Sequence, residues 1–549
     1  MSGYTAHVDT FARDNLPPRD RWPVMVFDLP ELDYPDRVNC GVELLDRMVD
    51  AGHGDRPCLI APQGTWTYRD LLGHANRIAR VLVEDMGVVP GSRVLLRAAN
   101  NQMMVASWFA VMKAGAIAVA TMPLLRAKEL AVLIDKARVE FALCDARLAD
   151  EMEGARRIAP TLREIRYFNG PAGGAGRLED AAASKPSDFA NVDTASDDVC
   201  LIAFTSGTTG VPKGTMHFHR DVLAICDCFP KYVLKPGPDD VFCGSPPLAF
   251  TFGLGGLVTF PMRVGASTLL LEKASPEALL EGIEKHRATI CFTSPTAYRA
   301  MLKQIPGGAD VSSLRKCVSA GETLPLPTWQ AFFDATGIRI IDGLGSTEML
   351  HIFISSADEG IRPGATGKPI PGYQAQVVDD EGRPVPPGTV GRLAVRGPTG
   401  CRYLADDRQS VYVSGGWNLT GDAYLMDEDG YFWYQARTDD MIISSGYNIA
   451  GPEVEEALLA HPDVLECAVV GAPDADRGHV VKAFVVVREG AGRDAQAAKA
   501  LQDFVKQQIA PYKYPRAIEF MDSLPRTESG KIQRFRLREL ERQALPQAS

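Results

Sequence analysis

The sequence predicts an α/β protein: a large N-terminal region of α/β layers closing in a β-rich subdomain, then a smaller α+β C-terminal domain. Three changes of texture carry that expectation. Through the first two thirds, helical stripes alternate with short apolar or β-branched runs, as in 70–86 followed by 93–97, and 275–286 followed by 289–292. That alternation predicts helices layered on largely parallel strands. From about Gly372 the pattern shortens to alternating strands with turn signals at Glu381-Gly382, Pro387-Gly388 and Asp429-Gly430, which predicts hairpins or a small barrel-like sheet over about 372–438. After Asp440 it changes again: a helix at 452–461 with Pro452 at its start, strands at 464–470 and 483–487, and a helix at 493–509. The expected domains are therefore 1–438 and 439–549.

The 549 residues exceed one ordinary domain of roughly 100–200 residues. Lys and Arg number 58 against 69 Asp and Glu, a net charge of −11, so no polyanion-binding surface is indicated and nucleic acid is not an expected partner. With 46% hydrophobic and 23% charged residues the chain is globular in composition and not disordered. Eleven cysteines lie scattered from Cys40 to Cys467 without a CxxC pair, and the Cys226/Cys228 spacing fits no common zinc pattern. A reducing cytoplasm is expected, with no metal or redox role for that pair. The N-terminus lacks the apolar core of a secretory signal. The apolar stretch 103–125 is interrupted by Lys113, Gly115 and Pro123, so a buried helix running into a buried strand is expected instead of a membrane span.

The segment richest in chemistry is TSGTTGVPKG, 205–214, directly after the apolar strand 199–204. Glycines allow the backbone to fold into a nest of N–H donors, the hydroxyls of Thr205, Ser206, Thr208 and Thr209 add to it, and Lys213 brings positive charge. The combination suits an oligophosphate. It is not a Walker loop, because Pro212 stands where Gly-Lys would be required.

TSGTTGVPKG resembles the phosphate loop of the adenylate-forming superfamily, which includes acyl-CoA synthetases, peptide-synthetase adenylation domains and luciferases. Further signatures follow in order: GSTE at 345–348, TGD at 420–422, RTDD at 437–440 and PRTESGK at 525–531. The resemblance covers essentially the whole chain. It implies that a carboxylate attacks the α-phosphorus of ATP, releasing pyrophosphate, and that the acyl-adenylate then meets a second nucleophile.

Residue by residue, the resemblance implies the following. Thr205, Ser206, Gly207, Thr208, Thr209, Gly210 and Lys213 bind the phosphates, with Thr205 and Lys213 also catalytic. Glu348, beside Thr347, binds Mg²⁺, a hard ion that takes carboxylate and phosphate oxygens together. Asp422 receives the ribose hydroxyls and Arg437 helps hold the same sugar. Adenine lies against Ser319-Ala320-Gly321-Glu322 near Asp342, with Leu344 where many relatives carry a stacking Tyr. Lys531 enters during adenylation to meet the charge redistributed in the transition state. Asp439 is the pivot about which a mobile C-terminal domain turns, and Ser445 and Gly446 then line the channel for the pantetheine arm of CoA.

The acyl pocket falls to 245–256 and 342–356. Phe250 stands where many relatives have His, and STEMLHIF is similar to benzoate- and 2-aminobenzoate-CoA ligases, which puts Gly343, Gly345 and His351 along the pocket. The segments DTFARDNLPPRDRWP and DLPELDYPDRVNCGVELLDRMV also look most like the 2-aminobenzoate branch. The expected reaction joins an aromatic carboxylate, best 2-aminobenzoate, to CoA at the expense of ATP. Benzoate-CoA ligase, another acyl-CoA synthetase, a stand-alone adenylation domain loading a carrier protein and a catalytically silent nucleotide-binding relative are the alternatives; self-association into a homo-oligomer is left open.

Overall fold

A computed structural model of the chain describes residues 3–171, 177–205, 212–437, 441–444, 447–474, 478–509, 513–526 and 532–544. The chain divides into two compact units, 1–375 with 395–418, and 376–394 with 419–549. The pivot expected at Asp439 lies outside the described residues.

The first unit is built on two sheets. A six-stranded sheet runs in the order Glu164–Phe168, Phe141–Asp145, Arg93–Arg97, Ile117–Thr121, Val199–Thr205, Lys213–Phe218. Its strands pair in parallel except for the last two, which are antiparallel. A nine-stranded sheet has a parallel centre formed by Pro57–Ala61, Ser267–Leu269, Val241–Gly244, Ile290–Thr293, Lys316–Ser319 and Ile340–Gly345, with antiparallel strands at both ends. Helices cover these sheets because parallel strands need crossovers. One core gathers Leu95, Ile117, Val119, Ile134, Met152 and Phe218, and another Leu279, Ile283, Tyr298, Trp329 and Phe332.

Local chemistry explains the element boundaries. The Tyr68–Arg80 helix starts at a reciprocal cap, Thr67 N–H donating to Asp70 (2.9 Å) and Asp70 N–H to Thr67 Oγ1 (3.1 Å). It continues as a wider turn over Val81–Asp85, so the stripe read at 70–86 is one helical run. Pro276–His286 starts with Pro at its first position under a Ser275 cap, and stops at Arg287 with φ +52°. The apolar stretch 103–125 is a buried helix, Gln102–Lys113, followed by the strand Ile117–Thr121, as expected. Lys113 is wholly buried and ion-pairs with Asp46. Among the described residues no helix is long and apolar enough to cross a membrane.

The β-rich expectation for 372–438 is met by a five-stranded sheet of Gln374–Val378, Val390–Arg396, Trp417–Met426, Val413–Ser414 and Phe432–Arg437. The passages between the two units fall inside three of these strands. In the second unit, Val464–Asp474 and Gly478–Val487 form a long antiparallel pair, with Ala517–Phe520 parallel to the latter. Gly451–Leu459, Ala495–Gln508 and Arg534–Ala544 are its helices, around a core of Val454, Leu458, Val469, Val481, Val485 and Val505.

All eleven cysteines are buried and free. Three of them, Cys243, Cys291 and Cys317, stand in register on adjacent strands and act as small apolar fillers.

A buried ion pair anchors the first unit next to the phosphate-loop strands. Arg402 donates to Asp221 Oδ2 at 2.7 Å, both side chains wholly buried, and its guanidinium lies 4.1 Å from the Phe218 ring centre and 5.0 Å from that of Trp22. Asp221 also accepts the Phe218 N–H at the start of the His219–Phe229 helix. Arg402→Met should therefore cost about 3–5 kcal/mol in urea unfolding by stranding the Asp221 charge. Adding Asp221→Asn should recover part of that loss; simply additive losses would contradict the pairing.

Candidate active site

The phosphate-loop motif joins two antiparallel strands, with Thr205 and Lys213 directly opposed. The loop is thus a hairpin connection whose ends are fixed by backbone register. Ser206, Gly207, Thr208, Thr209 and Gly210 lie outside the described residues. Thr205 Oγ1 is buried and has no hydrogen-bond partner among the described residues.

Lys213 points into a polar knot in the first unit. Its Nζ donates to the Tyr403 hydroxyl at 2.8 Å and lies 3.5 Å from Glu348 Oε1. The Tyr403 hydroxyl in turn donates to Glu348 Oε1 at 2.5 Å. Tyr412 completes the surround: its ring stands edge-on to Tyr403 with centres 5.8 Å apart, and its hydroxyl is 3.3 Å from Ser346 Oγ. Burial, and then the neighbouring Glu348 charge, push the Tyr403 phenol far up, so it stays a donor. Glu348 is 6% exposed, and these hydrogen-bonding neighbours take the place of water around Oε1.

Backbone pairing explains how Tyr403 comes here from 190 residues away. Residues 402–404 anneal beside the strand that Lys213 begins: Met216 N–H donates to the Arg402 carbonyl and Leu404 N–H to the Gly214 carbonyl, both at 2.8 Å. Thr215 and Tyr403 form an antiparallel bridge. Gln409 Oε1 accepts the Tyr403 N–H at 2.9 Å and fixes the far side.

The GSTE turn follows the Ile340–Gly345 strand. Ser346 Oγ accepts the Met349 N–H at 3.2 Å, and His217 Nε2 donates to the Thr347 carbonyl at 2.8 Å. Burial lowers the His217 imidazole to about 4 against the pull of Asp221, so it is neutral near pH 7 and can hold this tautomer.

The residues expected on the adenine side gather at strand ends. Ser319 closes one strand in register with Asp342 on the next. Gly321 takes φ +88°, a left-handed turn that opens the loop, and Glu322 accepts from Thr296 Oγ1 at 2.8 Å. Asp342 Oδ1 is buried without a partner among the described residues, and burial raises its carboxyl to about 7. Leu344 pairs with Ile354 across the antiparallel edge.

The residues expected along the acyl pocket separate into two groups. His351 is buried in an aromatic box, its ring centre 4.4 Å from Phe260 and 5.8 Å from both Phe229 and Phe252. Gly255 makes room for it, since a Cβ there would come within 2.3 Å of the imidazole. Burial lowers His351 to about 3, against the opposing pull of the Phe252 backbone. Phe250 precedes the Thr251–Leu254 helix, half-buried, while Phe252 supplies the ring against His351. Gly343 and Gly345 sit against Ile352 and the His351 backbone, where a Cβ would approach within 2.5 Å and 2.8 Å. Their bareness thus serves the packing of the hairpin.

The second unit carries its own charge pair. Asp422 and Arg437 are register partners on neighbouring strands, joined at 2.8 Å. Asp422 is buried and Arg437 largely exposed, and Thr420 Oγ1 accepts the Asp422 N–H at 3.3 Å. The proximity of the two expected ribose contacts is therefore fixed by strand register. Lys531, Asp439, Ser445 and Gly446 lie outside the described residues.

Sequence reading did not single out Tyr403, Tyr412, His217 or Phe252. For Phe252, two residues from Phe250 in the same segment, a weak signal existed; the other three are joined to the site by contacts distant in sequence.

Residues 46–403 match the model of the AMP-binding enzyme family and 453–531 that of the AMP-binding enzyme C-terminal domain. The chain belongs to the AMP-binding enzyme family, the adenylate-forming enzymes its motifs resemble. It is 36% identical over 520 residues to the benzoate–CoA ligase of Thauera aromatica, covering 93% of this chain and 97% of that one. The 3-hydroxybenzoate–CoA ligase of Aromatoleum sp. (strain CIB) is 30% identical, with coverage of 93% and 99%. Among solved structures, the anthranilate CoA ligase AuaEII in complex with anthranoyl-AMP superposes with a TM-score of 0.89 at 35% identity, covering 94% and 99%.

The buried Asp342 gives a test of this site without substrate. Its folded value, about 7, lies above the ordinary 3.8, so its neutral form supports the fold at low pH and that support is lost as pH rises through 7. Asp342→Asn should gain melting temperature relative to the wild type between pH 4 and pH 8, by about 1 °C for each kcal/mol involved in a unit of this size. A constant difference across that range would place the carboxylate in a solvated setting.

Proposed function

We propose that the protein is an aryl-CoA ligase that makes an aryl-adenylate from an aromatic carboxylate and ATP, then transfers the aryl group to CoA. The observation that carries the reading is the Lys213–Tyr403–Glu348 knot at the exit of the phosphate loop. The named relatives and the structural neighbour add the aromatic acid and the thiol acceptor. In the first step a carboxylate oxygen bonds to the α-phosphorus and the bond to pyrophosphate breaks. In the second the CoA sulfur bonds to the acyl carbon and AMP leaves.

Lys213 and the loop amides hold the phosphates. Glu348 is a fitting ligand for Mg²⁺: its carboxylate is a hard oxygen donor, and its described contacts both fall on Oε1. Bound there with ATP, the ion would neutralise phosphate charge. Asp422 and Arg437 take the ribose, and the loop at Gly321 with Asp342 takes the adenine. Lys531 supplies the transition-state charge for adenylation, and rotation about Asp439 brings Ser445 and Gly446 to the CoA channel.

For the acid we propose 2-aminobenzoate, the compound also called anthranilate. His351 supports this: a neutral imidazole among Phe229, Phe252 and Phe260 can accept a hydrogen bond from an aryl amine. Free buried cysteines suit a reducing, cytoplasmic setting.

CoA-dependent AMP release across 2-aminobenzoate, benzoate, hydroxybenzoates and fatty acids tests the assignment. We expect kcat/KM for 2-aminobenzoate to exceed that for benzoate by about tenfold or more, the weight of one net hydrogen bond. His351→Phe should erase that margin while sparing benzoate. A fatty-acid preference would overturn the aryl pocket, and AMP release dependent on a carrier protein would overturn CoA as acceptor. Lys531→Ala should slow adenylation roughly 10²–10³-fold and largely spare thioester formation from supplied aryl-AMP, whereas Asp439→Pro should do the reverse. Equal loss in both half-reactions would refute that division.

A further inference from the structure

Tyr403 is neither in the motifs nor on the reacting groups, yet its hydroxyl joins the two charged side chains at the phosphate-loop exit. A phenol has one proton to give. Here it goes to Glu348 Oε1, and the oxygen accepts from Lys213. The phenol therefore bridges an ammonium and a carboxylate that form an ion pair at 3.5 Å, longer than either contact to the hydroxyl. Its position follows from the backbone, through the bridge to Thr215 and the N–H held by Gln409. The ring is wedged against Tyr412. Side-chain choice alone cannot move this hydroxyl away.

We propose that Tyr403 is a positioning residue: by occupying Glu348 Oε1 and holding Lys213, it turns the remaining carboxylate oxygen toward a divalent cation. This rests on Glu348 being the cation ligand. Without the hydroxyl, Lys213 would close on Glu348 directly and compete with the cation for the same carboxylate. A direct ion pair would also draw Lys213 from the phosphates. The phenol thus holds the ion pair at 3.5 Å and keeps it from closing to hydrogen-bond distance, at no cost in net charge.

The test uses the full-length chain with a non-hydrolysable ATP analogue, and Mn²⁺ as a spin probe whose free concentration is read by electron paramagnetic resonance. Tyr403→Phe keeps the ring and should weaken Mn²⁺ binding about tenfold, as loss of a hydrogen bond to a charged group implies. Placing 4-aminophenylalanine at 403, which restores an N–H donor, should recover most of the affinity. Tyr167→Phe, which removes a hydroxyl that donates to Glu153 at 2.7 Å away from this site, should change it by about twofold or less. Where a variant is too unstable to titrate, the rise in melting temperature caused by Mn²⁺ over nucleotide alone reads the same quantity. Glu348→Gln separates the two readings. If Glu348→Gln weakens Mn²⁺ and Tyr403→Phe does not, the positioning role is overturned alone. If Glu348→Gln has no effect, the cation reading of Glu348 falls and takes the proposal with it. Equal weakening by Tyr167→Phe, or no recovery with the amine, would reduce Tyr403 to packing.

Discussion

The register between the Val199–Thr205 and Lys213–Phe218 strands is the constraint on which the first unit's site depends. Antiparallel pairing sets Thr205 against Lys213, so whatever shape the intervening loop takes, its two ends are held one strand spacing apart. The same second strand receives residues 402–404 along its free edge. A one-residue slip on either side would send Lys213 or Tyr403 to the opposite face. The charged knot is therefore a consequence of three backbone segments in register, and side-chain chemistry completes it.

Register needs an anchor, and the Arg402–Asp221 pair supplies one. A charge pair of this kind is not a large source of stability, because desolvation offsets most of its attraction. Its effect is on alternatives: an Arg402 out of place would leave two charges buried without partners. His217 extends the anchor to the GSTE turn, since it lies between Asp221 and the Thr347 carbonyl. Arg402, Asp221 and His217 are thus the supports of Tyr403, Glu348 and Thr347, and each touches one of them or its chain neighbour.

Much of the fold was legible because it is written locally. The helical stripes at 70–86 and 275–286 and the polar interruptions of 103–125 each act within a few residues, and the corresponding elements formed where expected. The β-rich change at Gly372 was legible for the same reason, through turn residues at short spacing. Tyr403 was not, because nothing within C-R-Y-L distinguishes it from a core tyrosine; its meaning lies in the contact with Lys213, far away in the chain. Resemblance put Phe250 and His351 along one pocket, but the aromatic ring packed beside the imidazole, that of Phe252, was not singled out. A short helix turn begins after Phe250, and helical direction, invisible in the residue types, decides which of the two rings meets the histidine.

Gly343 and Gly345 sharpen the point. Resemblance assigns them to the acyl pocket, and bare backbone near a ligand is a sound reason for glycine. Here the space a side chain would need is already taken, by Ile352 at one position and by the His351 backbone at the other. The tight hairpin they permit brings His351 back beneath the strand that ends in Glu348's turn. Even if no ligand atom approached them, a larger residue at either would displace the imidazole and the carboxylate together, because both hang from the same turn. A glycine can thus govern a binding site through the path of the chain, with the effect on the ligand arriving one residue later.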